Sequence, residues 1–312
     1  LSYNYRMETI KTKPLDVLDK SQLSEIRLMK DFRNIFALCF DWGMMTLGLA
    51  IFYYFPGLLT FLLSVVIIGS RQFALAVLAH EGAHNLLFSN SKVNDFTAQW
   101  LCAYPIFQDN RVYRPYHLKH HRFTETEEDP DLSLSAPFPI TKKSFVRKVL
   151  RDLIGLTGFR RYSSSLSSIL ATEASGPLEK FQKVWHKLHG FLISNLIIFS
   201  LISIFFHWSF YFLLWWLPAF TYYSLIIRIR NIAEHCVTPG NNGFDNTRTT
   251  RATLLVRFLM APHRVNYHLE HHLFMMCPWY NLPKAHSMML ENGHRDKMCI
   301  ENYYRSVVYK AV

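Results

Sequence analysis

The sequence predicts an all-α integral membrane protein, with four transmembrane helices in two hairpins and a cytoplasmic helical cap that carries clustered histidines. Three observations predict it. Hydrophobic residues make up 50% of the 312 and charged residues only 18%, against about 25% charged in an ordinary soluble domain. Apolar stretches recur in two closely spaced pairs, each long enough to cross roughly 30 Å of hydrocarbon at about 1.5 Å per residue. Nine of the 15 histidines fall in four short groups, two of which directly follow the second and fourth apolar stretches.

This composition excludes a disordered chain, a collagen and a coiled coil. The charge balance, 34 − 23 = +11, suits anionic lipid head groups or an anionic partner such as nucleic acid. The apolar content favours lipid, and no nucleic-acid partner is expected. The five cysteines (Cys39, Cys102, Cys236, Cys277, Cys299) form no CxxC pair. Neither a disulfide framework nor a thiolate metal site is encoded, which fits a reduced compartment.

Along the chain, residues 1–32 are mixed and charged, with no pattern of a cleavable signal. Residues 34–55 are apolar except for Asp41, and Phe55-Pro56-Gly57 breaks the run before a second stretch at 58–79. Residues 190–227 contain no Lys, Arg, Asp or Glu. As one helix they would be about 57 Å long, nearly twice the bilayer core, so they must fold back. A bend near His207-Trp208 gives spans at 191–206 and 208–227. Lys and Arg avoid both hairpin tips, so the positive-inside rule places residues 80–190, 228–312 and both termini in the cytoplasm. Residues 1–312 are read as one domain.

Residues 96–107 and 253–261 are apolar but too short to span, and are expected to be interfacial or re-entrant. Residues 144–161 place Phe145, Val149, Leu153 and Leu156 opposite Arg147, Lys148, Arg151 and Arg160, the pattern of a helix lying in a membrane surface. Arg71 lies inside the second span, where it can snorkel to the interface, the favoured expectation, pair with Asp41, or meet a polar substrate group.

His80-Glu81-Gly82-Ala83-His84 continues the second span, and i, i+4 spacing puts both rings on one helical face. His117-Leu118-Lys119-His120-His121 and His268-Leu269-Glu270-His271-His272 both read HxxHH, so each offers three rings on one stripe. Asn231-Ile232-Ala233-Glu234-His235 has the same i, i+4 spacing after the fourth span. HEGAH by itself satisfies the zinc-protease pattern HExxH. Such an enzyme needs only one further ligand and leaves seven clustered histidines without a role. Nine imidazoles exceed one four-coordinate site and suit two metals, with Fe, Zn, Cu and Ni all open by ligand type. Glu81, Glu234, Glu270, Asp129 and Asp131 can orient ring N–H groups.

The set HEGAH, HLKHH, NIAEH and HLEHH, with two membrane hairpins, resembles the membrane fatty acid desaturase family, the histidine-box di-iron enzymes. The resemblance covers residues 34–286, and HLEHHLFMMCPWYNLP is similar to the last box and following segment of acyl desaturases. Met275 departs from it, standing where many relatives carry proline. The resemblance implies two iron ions held by His80, His84, His117, His120, His121, His235, His268, His271 and His272, with Asn231 reaching one metal through water. It implies O2 as co-substrate and a double bond inserted into a lipid or acyl-thioester chain, with electrons from cytochrome b5 or ferredoxin and its reductase. No His-Pro-Gly-Gly haem segment occurs, so the donor is expected to be separate. The active site would face the cytoplasm from a bacterial inner membrane or the endoplasmic reticulum. A hydroxylase, ketolase or alkene-forming oxidase of the same fold is the alternative, and a zinc membrane hydrolase or carrier a more distant one.

Overall fold

The computed structural model of the chain describes residues 12–240 and 242–312. The expectation of no cleavable signal falls in part on residues 1–11, outside those described. The described residues are mostly helical, with one two-residue parallel strand pair, Thr249–Thr250 with Ile300–Glu301. Helices that frame the histidines are α1 (Asp31–Tyr54), α2 (Leu58–Ala83), α3 (Asn110–Phe123), α4 (Lys142–Leu153), α5 (Leu156–Leu170), α6 (Pro177–Phe205), α7 (Tyr222–His235) and α8 (His268–Leu273).

Four helical stretches, Lys20–Tyr54, Leu58–Ala83, Pro177–Phe205 and Tyr211–His235, are long and apolar enough to cross a membrane. α1 ends before Pro56, which cannot continue the backbone ladder and disfavours helix in the residue before it. α2 then runs unbroken into the first histidine box, ending at Ala83 with His84 as its cap. α6 ends at Phe205, so the chain turns at His207-Trp208 as the spacing predicts. Helix α6 starts earlier than position 191, at Pro177, because nothing stops it. Proline sits in its first turn, Lys183 pairs with Glu179, and Gly190 gives no break but a close approach. A Cβ at Gly190 would stand 2.0 Å from the Tyr104 ring. The last apolar stretch is not one regular helix. A wide turn at Tyr211–Trp216 and Thr221, at φ −99° and ψ −89°, precede α7, which carries on to His235.

α1 and α2 pack along their length, and α7 and the 91–106 segment lie against α2. Ile68, Leu75, Leu78, Ala98, Cys102 and Leu214 fill this core, with Trp42 stacked on Trp215 at 5.9 Å. Residues 96–107 are thus largely an internal layer: a Cβ on Gly82, inside the first box, would meet the Ala98 methyl at 2.2 Å. The short 254–259 helix leaves Leu254 and Leu255 exposed.

Two expectations change. The 144–161 segment is two helices, because Gly155 adopts φ +80°, the left-handed region glycine tolerates. Phe145 and Val149 turn half-buried toward the protein, and the exposed apolar stripe is Val146, Leu150, Leu153 and Ile154. Arg71 does not snorkel. It is 2% exposed, its Nη1 donates to Asp41 Oδ1 at 3.0 Å, and its Nη2 donates to the Phe258 carbonyl. Asp41 in turn meets His263 Nε2 at 2.7 Å. Desolvating an unpaired guanidinium costs more than losing the reach to water, so pairing wins.

Candidate metal centre

The four histidine groups, up to 192 positions apart (272 − 80), converge. His80, His84, His117, His121 and His271 bring one ring nitrogen each within 4.8 Å of one another, and His120, His235, His268 and His272 do the same beside them. The groups adjoin where His121 and His272 face each other at 4.2 Å between centroids. The HxxHH boxes therefore do not serve one ion each. In both, the i, i+4 pair goes to one group and the ring at i+3 crosses to the other, because a 100° step per residue points it along a different side of the stripe.

Distances inside the groups test whether a metal fits. Nε2 atoms approach at 3.0 Å (His84–His117), 2.9 Å (His117–His121), 3.0 Å (His121–His271), 2.8 Å (His235–His268) and 3.0 Å (His268–His272). Two imidazoles bound at about 2.1 Å and a right angle apart have nitrogens ~3.0 Å apart, whereas a tetrahedral angle separates them by ~3.4 Å. The spacing fits rings that share a bound ion. Both nitrogens of His80 are buried without a hydrogen-bond partner, an arrangement a ligated ring relieves.

The rings are kept in the neutral, ligating form. Burial pushes His84 down to about 4, with the nearby Arg114 adding to it. Burial first, and neighbouring imidazoles second, hold His117, His121, His271 and His272 well below the usual range, and His268 likewise beside His235. His120 Nδ1 lies 2.8 Å from Asp129 Oδ1, which aims its Nε2 lone pair inward.

Over residues 56–299 the chain matches the family model for fatty acid desaturases. The chain belongs to the fatty acid desaturase family. It is also 24% identical over 300 residues to the dihydrorhizobitoxine desaturase of Bradyrhizobium elkanii, covering 87% of this chain and 79% of that protein. Family membership makes the chain a desaturase-like oxidoreductase, and its four apolar helices fit the membrane-bound character of the family.

The predicted acids divide. Asp129 holds His120, with Asp131 at 3.7 Å. Glu81 comes within 3.6 Å of His80 Nδ1, whereas Glu234 lies 3.6 Å from His268 Nε2, the nitrogen turned into the group, and pairs with Arg230 at 2.6 Å. Glu270 does not orient a box ring. It turns away to His286 Nδ1 at 2.5 Å and accepts from Thr249 Oγ1. Asn231 belongs to neither group. It sits half-buried one turn before His235, its Oδ1 3.9 Å from Cys236 Sγ.

Four further residues escape sequence reasoning. Tyr113 stacks on His117 at 5.1 Å, and Glu125 lies 3.8 Å from His235 Nδ1. Trp279 donates its backbone N–H to Glu81 at 3.0 Å and its indole N–H to Asn34 at 2.7 Å. His263 links Asp41 to the Trp279 ring, 4.9 Å away. Tyr113 sits one turn before His117, the one signal that could have found it.

Proposed function

We propose that the chain is an O2-dependent di-iron desaturase that inserts a carbon–carbon double bond into a lipid or acyl-thioester substrate, using electrons from a separate donor such as cytochrome b5 or ferredoxin with its reductase. The observation that carries this reading is the pairing of the two imidazole groups. Donor number and spacing suit two adjoining ions, in a chain of this family. The proposed ligands are His80, His84, His117, His121 and His271 for one iron, and His120, His235, His268 and His272 for the other, with Asn231 reaching the second through water. Residues 1–312 would act as one domain with two membrane hairpins, and the histidines would face the cytoplasm of a bacterial inner membrane or the endoplasmic reticulum.

A methylene has neither an acidic proton nor a leaving group, so acid–base groups alone cannot begin the reaction. When bound, the iron pair supplies the oxidising power of O2. The balance is one O2, two electrons and two protons in, and one alkene and two waters out. The protein's part is to orient and to dry the site. Asp129 fixes the His120 tautomer, Glu81 is itself held by the Trp279 N–H, and Tyr113 covers His117. Burial of the rings keeps water from the reacting carbon. An apolar cleft of about 560 Å³ between α1 and α6 is lined by Met45, Leu49, Ile198, Ile202, Phe205 and Trp215, none of them a histidine.

The test is metal and product analysis of the full chain. Two irons per chain, and host lipids that gain a double bond only with the gene, are expected. One zinc per chain would overturn the reading, and label from 18O2 retained in the organic product would turn it into a hydroxylase.

A further inference from the structure

A second cleft, of about 540 Å³, opens between the start of α3, the second half of α5 and α6. Its base is aromatic: Phe107 stacks on Phe191 at 5.7 Å, and Tyr113 lies beside them. Tyr113 also lies flat on His117, at 5.1 Å and an interplanar angle of 10°, and its ring is 6.4 Å from His80. One ring's thickness therefore separates this cleft from the five-histidine group.

The rim has the opposite chemistry. Ser164, Ser165, Ser168 and Lys187 line it, all exposed. Asp109 is bound by Arg111 at 2.7 Å and by Gln99, and the Tyr116 hydroxyl donates to Asp131 at 2.5 Å. Glu179 pairs with Lys183. Lys187 donates only to a neutral oxygen, Thr172 Oγ1 at 2.9 Å, and among the described residues no ion pair is formed by it. The rim thus presents a cation and the hydroxyl groups of Ser164 and Ser168 over an aromatic base, a shape that matches an amphiphile with an anionic end.

We propose that this cleft admits the substrate to the histidines, and that Lys187, with Ser164 and Ser168, holds the substrate's anionic end, a carboxylate or a phosphate. The proposal rests on the histidine groups being the reaction centre. The apolar part passes the aromatic base and Tyr113, and the head stays at the rim. Tyr113 is then a specificity-determining residue, since its ring sets the clearance between the cleft and His117.

Binding to the detergent-solubilised full chain tests it, with tritiated palmitate, methyl palmitate and dipalmitoylphosphatidate as probes. An anionic probe should bind about tenfold more tightly than the ester, and Lys187→Glu should abolish that preference while iron per chain stays unchanged. Preference for palmitate over phosphatidate assigns a free carboxylate, and the reverse assigns a phospholipid. Ser168→Phe, which narrows the rim, should weaken both anionic probes. Equal binding of ester and acid, or a preference that survives Lys187→Glu, overturns the proposal. These readouts need no turnover, so loss of the anion preference is distinguishable from loss of the di-iron reading, which iron content alone decides.

Discussion

The two histidine groups differ in how they are held. The five-histidine group draws on α2, α3 and α8 and contains His80, whose ring nitrogens have no hydrogen-bond partner. The four-histidine group draws on α3, α7 and α8, has one donor fewer, and holds His120 by a 2.8 Å contact from Nδ1 to Asp129, with Glu125 3.8 Å from His235 Nδ1 and Glu234 3.6 Å from His268 Nε2, the nitrogen that faces the group. The first group is complete in imidazoles and anchored to the end of a long helix. The second has one ring, His120, aimed by a carboxylate, and leaves room for a ligand that is not histidine. Because α3 and α8 each feed both groups, neither can shift without the other. The crossed HxxHH boxes make the pair one mechanical unit.

The largest effect is expected at the smaller group. His235→Ala leaves it three imidazoles and removes its only donor from α7. Iron should fall from two per chain toward one, and turnover should be lost while the protein remains in the membrane. His84→Ala leaves four imidazoles in the larger group, so its iron loss should be the smaller of the two. Equal losses, read by iron analysis of the two variants, would erase the distinction between the groups.

Much of this site was legible in the sequence, and the reasons for the exceptions are physical. Regular spacing exposes what a helix brings together, so all nine ring positions and the turn at His207-Trp208 could be read. The division of each box between two groups could not, because it depends on how α3 and α8 face each other. Nor could Glu270, which lies among three box histidines yet is drawn off by His286, sixteen positions away. Arg71 was ambiguous for the same reason: its partners Asp41 and Phe258 are 30 and 187 positions distant. Periodicity carries no information about such contacts.

The buried Asp41 gives the next largest effect. It joins Arg71 of α2 to His263, which with Arg264 adopts positive φ just before α8. Asp41→Ala strands a buried guanidinium and releases that strained turn, at a cost of about 3–5 kcal/mol. Since α8 supplies two of the four rings in one group and one of five in the other, metal should leave the four-histidine group first. A thermal melt of the solubilised protein with parallel iron analysis checks both parts, and an unchanged melting temperature would contradict the pairing.

Acid distinguishes metal-free from metal-loaded protein. The folded value of His84 is depressed to about 4 from 6.5, so below pH 6.5 the unfolded chain takes up a proton that the folded one refuses. Stability is fully present above pH 6.5, falls as the pH drops, and levels off for this ring near 4. The loss from His84 alone is on the order of 3 kcal/mol, and the other depressed rings add in the same direction. Melting temperatures of chelator-treated protein should decline steadily from pH 7 to pH 5. A flat profile would mean that unfolding in this range takes up no net protons.

The smallest effect tests the Asp129 carboxylate itself. In Asp129→Asn the amide oxygen can still accept from His120 Nδ1, so the tautomer that aims Nε2 inward is retained, but the negative charge that strengthens the ring as a donor is gone. The carboxylate also accepts from the backbone N–H groups of Glu125, at 2.8 Å, and Asp131, at 2.8 Å. The amide oxygen can meet the two donors that share Oδ1, His120 Nδ1 and the Asp131 N–H, but the NH2 in place of Oδ2 opposes the Glu125 N–H. The second group should therefore lose about 10–100-fold in metal affinity, with the five-histidine group unaffected. Titration of metal-free protein with ferrous ion should then change from two similar steps to two separated ones. A uniform weakening of both steps would mean that the charge acts across the whole pair, and that the crossed boxes transmit more than position.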